Sequence, residues 1–227
     1  MAKPIISKPK TSSLPTLIPA SDNQKTALDH FKNKTVTIVE GLAGTGKTYI
    51  AVHYALDQYL KGKTYKIILT RPLLNVGNEK LGFLPGEVGD KVAPYAEQFT
   101  EYMNEFMPML QFSDDKKLSR DIVFIPLAYI RGRNFSNSII IADEMQNSTP
   151  LQMKTLLTRL ADDSKVIVLG DTKQSDLDVK QGNGLADLAA RVHNDPNDNV
   201  GIVKFGVDDI RRSEIVKHVL RLYGDID

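Results

Sequence analysis

Short runs of β-branched and aliphatic residues alternate along this chain with longer stretches whose apolar residues recur at helical spacing. Thr35–Glu40 is the first such run. Tyr65–Thr70, Asp121–Ile125, Ser138–Ala142, Lys165–Leu169 and Val200–Phe205 follow it. Near-continuous apolar runs of this length predict buried strands. Helices are predicted at Asn23–Phe31, Tyr49–Leu60, Ala93–Leu110, Pro150–Leu160, Leu185–Arg191 and Ser213–Tyr223. Ser21-Asp22 offers an N-cap to the first of them. In the last, Ile215, Val219 and Leu222 fall at helical spacing and are expected in the core. Arg71 to Lys91 reads as a long loop, Ser113–Ser119 as a polar segment and His193–Asn199 as an Asn/Asp-dense loop around Pro196. Alternation of strand and helix predicts an α/β fold, a parallel sheet with helices on both faces. Such sheets bind ligands at the carboxyl ends of their strands.

The chain has 227 residues, enough for one substantial core. Residues 1–20, rich in Pro, Lys, Ser and Thr, read as a flexible arm, and 21–227 as a single folded domain. A net charge of +1 gives no global signal for nucleic acid, so any such binding must come from a local patch. The absence of cysteine excludes disulfides, zinc–thiolate sites and Cys nucleophiles. No apolar run approaches a membrane span, and the N-terminus lacks a signal core, so no membrane role is expected and the cytoplasm is the default location.

Chemistry enters at Gly41-Leu42-Ala43-Gly44-Thr45-Gly46-Lys47-Thr48, between the first strand and its helix. This run fits G-x-x-x-x-G-K-[ST] at every fixed position. A strand that breaks into a Gly-rich loop and then a helix turns backbone N–H groups toward one point, where the helix dipole adds positive potential. A polyphosphate fits there. Lys47 is placed to reach the β- and γ-phosphates and the Thr48 hydroxyl to ligate Mg²⁺.

Ser138–Ala142 ends in Asp143-Glu144. A carboxylate at such a strand end can hold Mg²⁺, and the next one can act as general base on the attacking water. An N-cap pair is the plain alternative; the upstream P-loop favours the catalytic reading. Lys165–Leu169 ends in Gly170-Asp171 and Gln174, whose amide can donate to phosphate or orient water, against simple turn chemistry.

Several segments are more distinctive. Leu69-Thr70-Arg71-Pro72 follows the second strand, and Glu79-Lys80-Leu81-Gly82-Phe83-Leu84-Pro85-Gly86 lies beyond it, with Pro94-Tyr95 further on. Pro126-Leu127-Ala128-Tyr129-Ile130-Arg131-Gly132-Arg133 precedes the acidic strand. Asp143-Glu144-Met145-Gln146-Asn147 leads to Thr149-Pro150 and Gln152-Met153-Lys154, and Gly170-Asp171 to Gln174 and Asp176-Leu177. Together, over Ser21 to Tyr223, these resemble the PhoH-like family of P-loop ATPases, related to the core of superfamily 1 helicases. The resemblance implies a RecA-like, Mg²⁺-dependent ATPase, linked to RNA and forming homo-oligomeric rings, with a hexamer as one size. It places Lys47 and Thr48 at phosphate and Mg²⁺, Asp143 at Mg²⁺, Glu144 at the catalytic acid and Gln174 at the γ-phosphate. It puts Gln24 against adenine and Arg212, or the adjacent Arg211, near the nucleotide. Leu73 to Asn78 fit the family pattern loosely. With room for one RecA-like domain, unwinding by a monomer is not expected, and without an appended nuclease domain RNA cleavage is not implied.

Arg71 resembles the position where related helicases grip single-stranded nucleic acid. Tyr129, Arg131 and Arg133, around Gly132, admit three readings: bases stacked and phosphates held, an arginine supplied to a neighbouring subunit's ATP, or a solvated loop. His30, His53, His193 and His218 show no metal-ligand spacing. Gly182 and Gly184 shape the loop before the Leu185 helix. Two other functions compete with hydrolysis: a P-loop kinase, and a nucleotide-gated assembly or RNA-binding module with negligible turnover.

Overall fold

The computed structural model describes residues 14–73, 97, 100–101, 103–104, 118–177, 182–210 and 214–224. Most of the helix expected at Ala93–Leu110, the Glu79–Gly86 segment, most of the Arg71–Lys91 loop and residues 1–13 of the arm lie outside them.

Six strands form one sheet: β1 (Val36–Gly41), β2 (Lys66–Thr70), β3 (Ile122–Phe124), β4 (Ser138–Ala142), β5 (Lys165–Gly170) and β6 (Val200–Phe205). Their spatial order is β3-β2-β4-β5-β1-β6, and every pairing is parallel. The helices are α1 (Asp22–Asn33), α2 (Lys47–Leu60), the short α3 (Leu118–Asp121), α4 (Pro150–Leu157), α5 (Gly184–Asn194) and α6 (Glu214–Leu222). Parallel strands need crossovers: α2 supplies that from β1 to β2, α4 that from β4 to β5 and α5 that from β5 to β6, and helices cover both faces of the sheet.

Alternate side chains of one strand therefore enter different cores. Ile139 and Ile141 of β4 join Phe31 of α1 and Ile50, Leu56 and Tyr59 of α2. Ile140 and Ala142 join Met153 and Leu156 of α4 and Leu185 of α5. Burial on both faces explains why these strands read as unbroken apolar runs. The result is the RecA-like P-loop NTPase fold expected from the pattern.

Local signals set the helix starts. The Ser21 side chain accepts from the Gln24 N–H at 3.2 Å. Thr149 and Gln152 form a reciprocal capping box ahead of α4, with Pro150 in its first turn. Asn183 accepts from the Ala186 N–H at 3.0 Å at the start of α5.

Helix ends and outer faces depart from the expectations. α4 stops at Leu157 rather than Leu160, because Phe135 takes the Arg159 carbonyl and gives its own to the Ala161 N–H. α5 runs through His193 and Asn194, which the Asn/Asp-rich loop was expected to claim; the Asp195 N–H still bonds the Arg191 carbonyl. The expectation that Ile215, Val219 and Leu222 belong to the core is overturned: they are 65%, 41% and 71% exposed. Helical spacing makes a face apolar, but cannot say whether another element covers it. Three-residue 3₁₀ turns at Leu127–Tyr129, Met145–Asn147 and Val207–Asp209 are too short to carry a period.

Candidate nucleotide site

The loop after β1 needs backbone angles that a Cβ opposes. Gly44 has φ +79° and Gly46, the residue before α2, has φ +82°. Thr45 closes the loop by donating its hydroxyl to the Leu42 carbonyl at 2.8 Å. Lys47 folds back over it, its Nζ donating to the carbonyls of Gly41 at 2.7 Å and Leu42 at 2.8 Å. Burial pushes the Lys47 pKa down, against the pull of the carboxylates of Asp143, Asp171 and Glu144.

Gln24 is buried under the same loop. Its Nε2 donates to the Thr45 carbonyl at 3.1 Å, and its Oε1 accepts from the Ala20 N–H at 2.8 Å. Among the described residues its side chain keeps one amide proton and one lone pair unused.

Asp143 leaves β4 with its N–H still bonded to the Thr70 carbonyl at 2.9 Å. Its Oδ2 accepts from the Thr48 hydroxyl at 3.1 Å, and its Oδ1 from the Glu144 N–H at 3.0 Å. Burial raises the Asp143 pKa, and the Glu144 charge raises it further; the two hydrogen bonds and the Arg71 guanidinium oppose this. Arg71, expected at nucleic acid, thus lies near enough to Asp143 to favour its ionised form. Glu144 adopts a left-handed conformation at φ +54°, which costs a non-glycine residue about 1–2 kcal/mol. Its carboxylate accepts from Gln146 Nε2 at 2.6 Å.

β5 lies between β1 and β4, so its end stands between Lys47 and Asp143. Asp171 is 6% exposed. Its Oδ1 accepts from the Lys173 N–H at 3.0 Å, while its buried Oδ2 has no hydrogen-bond partner among the described residues. Gln174 follows, its N–H on the Asp171 carbonyl at 3.0 Å. Gly184, expected in the loop before the Leu185 helix, is the first residue of α5 and packs it tightly onto the turn at Ser148 and Thr149: a Cβ would approach the Ser148 hydroxyl to 2.6 Å.

The segments that follow β1, β4 and β5 meet at one cavity of about 680 Å³. It gathers Gln24, Ala43, Gly44, Gly46, Lys47, Thr48, Asp143, Glu144 and Gln174 from the residues singled out in the sequence. Gly41, Leu42 and Thr45 are not in its wall but shape and brace the loop that is. Leu17, Ile18 and Tyr49 are additions that the sequence did not suggest, and Asp171 stood in the Gly170-Asp171 motif without an assigned role. Arg71, Tyr129, Arg131 and Arg133 do not line it. Tyr129 is half-exposed and the two arginines beyond it are exposed, with Arg133 Nε donating to the Tyr129 carbonyl at 3.0 Å. Arg211 and Arg212 lie outside the described residues.

Oxygen donors side by side at Thr48 and Asp143 suit a hard divalent cation. Among the described residues no cluster of three or more His, Asp or Glu side chains could hold a metal alone. A cation here would draw its remaining ligands from phosphate and water, the usual arrangement for Mg²⁺.

The sequence profile described as PhoH-like protein matches residues 16–224. The chain belongs to the PhoH-like family. The PhoH-like protein of Synechocystis sp. is 37% identical over 200 residues, covering 88% of this chain and 60% of that protein. Protein PhoH of Escherichia coli K12 is 37% identical, covering 87% of this chain and 55% of the relative. The PhoH-like protein of Bacillus subtilis is 39% identical, covering 81% and 56%. The chain thus spans a little over half the length of the curated relatives it matches. The solved structure of Pif1 helicase from Candida albicans overlaps more loosely, with a TM-score of 0.44 and 14% identity over 93% of this chain and 46% of that one. So loose an overlap carries no functional argument. The PhoH-like match takes in both halves of the cavity, from Leu17 and Ile18 to Asp171 and Gln174. Among the described residues no helix is long and apolar enough to cross a membrane.

Proposed function

We propose that this chain is an Mg²⁺-dependent ATPase of the PhoH-like type, coupled to RNA or single-stranded nucleic acid in a homo-oligomeric ring. The observation that carries the hydrolytic part is the Thr48–Asp143 hydrogen bond of 3.1 Å, which joins the end of the phosphate loop to the acidic end of β4 inside one cavity. Thr48 and Asp143 would hold Mg²⁺, which supplies charge neutralisation on the β- and γ-phosphate oxygens. Lys47 exchanges the loop carbonyls for phosphate oxygens. Glu144 takes a proton from the attacking water, and Gln174 orients that water or the γ-phosphate. Gln24 offers its spare donor and acceptor to the adenine edge.

Nucleic-acid coupling is supported by Tyr129, Arg131 and Arg133, an aromatic and two guanidinium groups exposed beside Gly132. An arginine that meets the nucleotide would come from Arg211, Arg212 or a neighbouring copy.

Phosphate release from Mg·ATP, with and without single-stranded RNA, tests the reading. Lys47→Ala is expected to abolish turnover. Glu144→Gln is expected to keep ATP binding and lose turnover by about 10²- to 10⁴-fold. RNA stimulation that vanishes in Lys47→Ala marks an RNA-coupled motor or remodeller. Turnover indifferent to RNA moves the coupling to a protein partner. A wild-type protein that binds ATP without turnover is a nucleotide-gated module instead.

A further inference from the structure

Gln146 is not part of the cavity wall, yet it touches two residues that are. It is 3% exposed and sits in the 3₁₀ turn just after Glu144. Its Nε2 donates to Glu144 Oε2 at 2.6 Å, and its Oε1 accepts from the Asp171 N–H at 3.2 Å. The amide can face only one way: the carboxylate needs a donor and the backbone N–H needs an acceptor. Its own carbonyl accepts from the Ser175 hydroxyl at 3.0 Å. Alongside it, Asn147 and Asp176 bond each other, with the Asp176 N–H on Asn147 Oδ1 at 2.8 Å.

Gly170 makes room for this bridge. A Cβ there would collide with Gln146 Oε1 and come within 2.8 Å of Leu185 Cδ2. The end of β5 is therefore shaped around the Gln146 amide.

Taking Glu144 as the base, as proposed above, we infer that Gln146 is its positioning residue: it clamps the Glu144 carboxylate to the end of β5. The backbone at Glu144 does not rest in a common conformation, so its direction depends on what holds it. Gln146 fastens the carboxylate to Asp171, and the Asp171 carbonyl carries Gln174. The base and the glutamine at the γ-phosphate then keep a fixed relation, which a transfer through one water requires.

Steady-state kinetics and nucleotide binding on the full chain test this. Gln146→Ala is expected to lower kcat at least tenfold while the dissociation constant of a fluorescent ATP analogue stays within twofold. Gly170→Ala, which removes no functional group, is expected to reproduce that split by displacing the amide. In single-turnover measurements, Gln146→Ala added to Glu144→Gln is expected to cost no more than twofold further, since its effect runs through Glu144. Wild-type kcat in Gln146→Ala overturns the inference. So does an equal loss on both backgrounds, or a parallel loss of nucleotide binding in both single variants, because either marks a merely structural residue. A wild-type chain without turnover is a different failure: it removes the ATPase reading, and the positioning role with it.

Discussion

Asp143 sits where burial disfavours its charge, and the neighbouring Glu144 adds to that. Its pKa is raised in the folded state, so its contribution favours folding below the ordinary carboxylate range. That contribution is lost as pH rises through the folded value. Above the ordinary carboxylate range Asp143 therefore opposes folding in the nucleotide-free protein. Lys47 is shifted the other way: its favourable contribution lies at high pH and is lost as pH falls through its depressed value. Asp143→Asn keeps both local bonds, with its oxygen toward the Glu144 N–H and its amide toward the Thr48 hydroxyl. We expect it to raise the thermal midpoint of the nucleotide-free protein at pH 7 and to narrow that gain toward pH 4. The same variant should lose Mg²⁺-dependent nucleotide binding. Calorimetry across that pH range, with and without Mg·ATP, checks both signs. An Asp143→Asn midpoint below wild type at pH 7 contradicts the electrostatic account.

The elements differ in how much of their sequence pattern was spent on contact. β4 places Ile140 in one core and Ile141 in the other, each fully buried. α6 instead leaves Ile215, Val219 and Leu222 in solvent. Ile140→Ala should cost about 2–5 kcal/mol in denaturant unfolding, the usual range for a buried aliphatic truncation. Leu222→Asp should stay within about 0.5 kcal/mol, because it removes no covered surface. A large loss at Leu222 would mean that α6 packs after all. The start of α1 was legible in sequence because a cap is a bond between residues three apart, as at Ser21; Thr149 and Asn183 make the same kind of bond ahead of α4 and α5. Helix ends were less so. α4 stops just before the point where Phe135, distant in sequence, pairs with the backbone of Arg159 and Ala161.

In the whole molecule, the cavity draws on residues from Leu17 to Gln174. A nucleotide held there binds the folded chain and not the unfolded one. A slowly hydrolysed ATP analogue with Mg²⁺ at a hundredfold excess over its Kd should therefore stabilise the protein by about 2.7 kcal/mol. Lys47→Ala should abolish most of that shift in a thermal melt, whereas Glu144→Gln should retain it. Equal shifts in the two variants would separate nucleotide binding from the phosphate loop.

The strand–loop–helix at Gly41–Thr48 and the acidic end of β4 were readable without coordinates. Each is one contiguous segment whose residues must adopt one geometry to do anything, and the local pattern specifies it. The PhoH-like resemblance rested on such segments too. Strand order was not readable. Nothing local says that β5 lies between β1 and β4, although this is what sets Asp171 between Lys47 and Asp143 and brings Gln146 to both Glu144 and the end of β5. Gln146 was in view as part of Asp143–Asn147, but its partner across the strand gap was not. The same holds for α6, whose apolar face is written in its spacing while its exposure depends on what packs nearby. Bonds between neighbours along the chain are encoded where they occur; contacts between distant segments exist only once the sheet has brought them together.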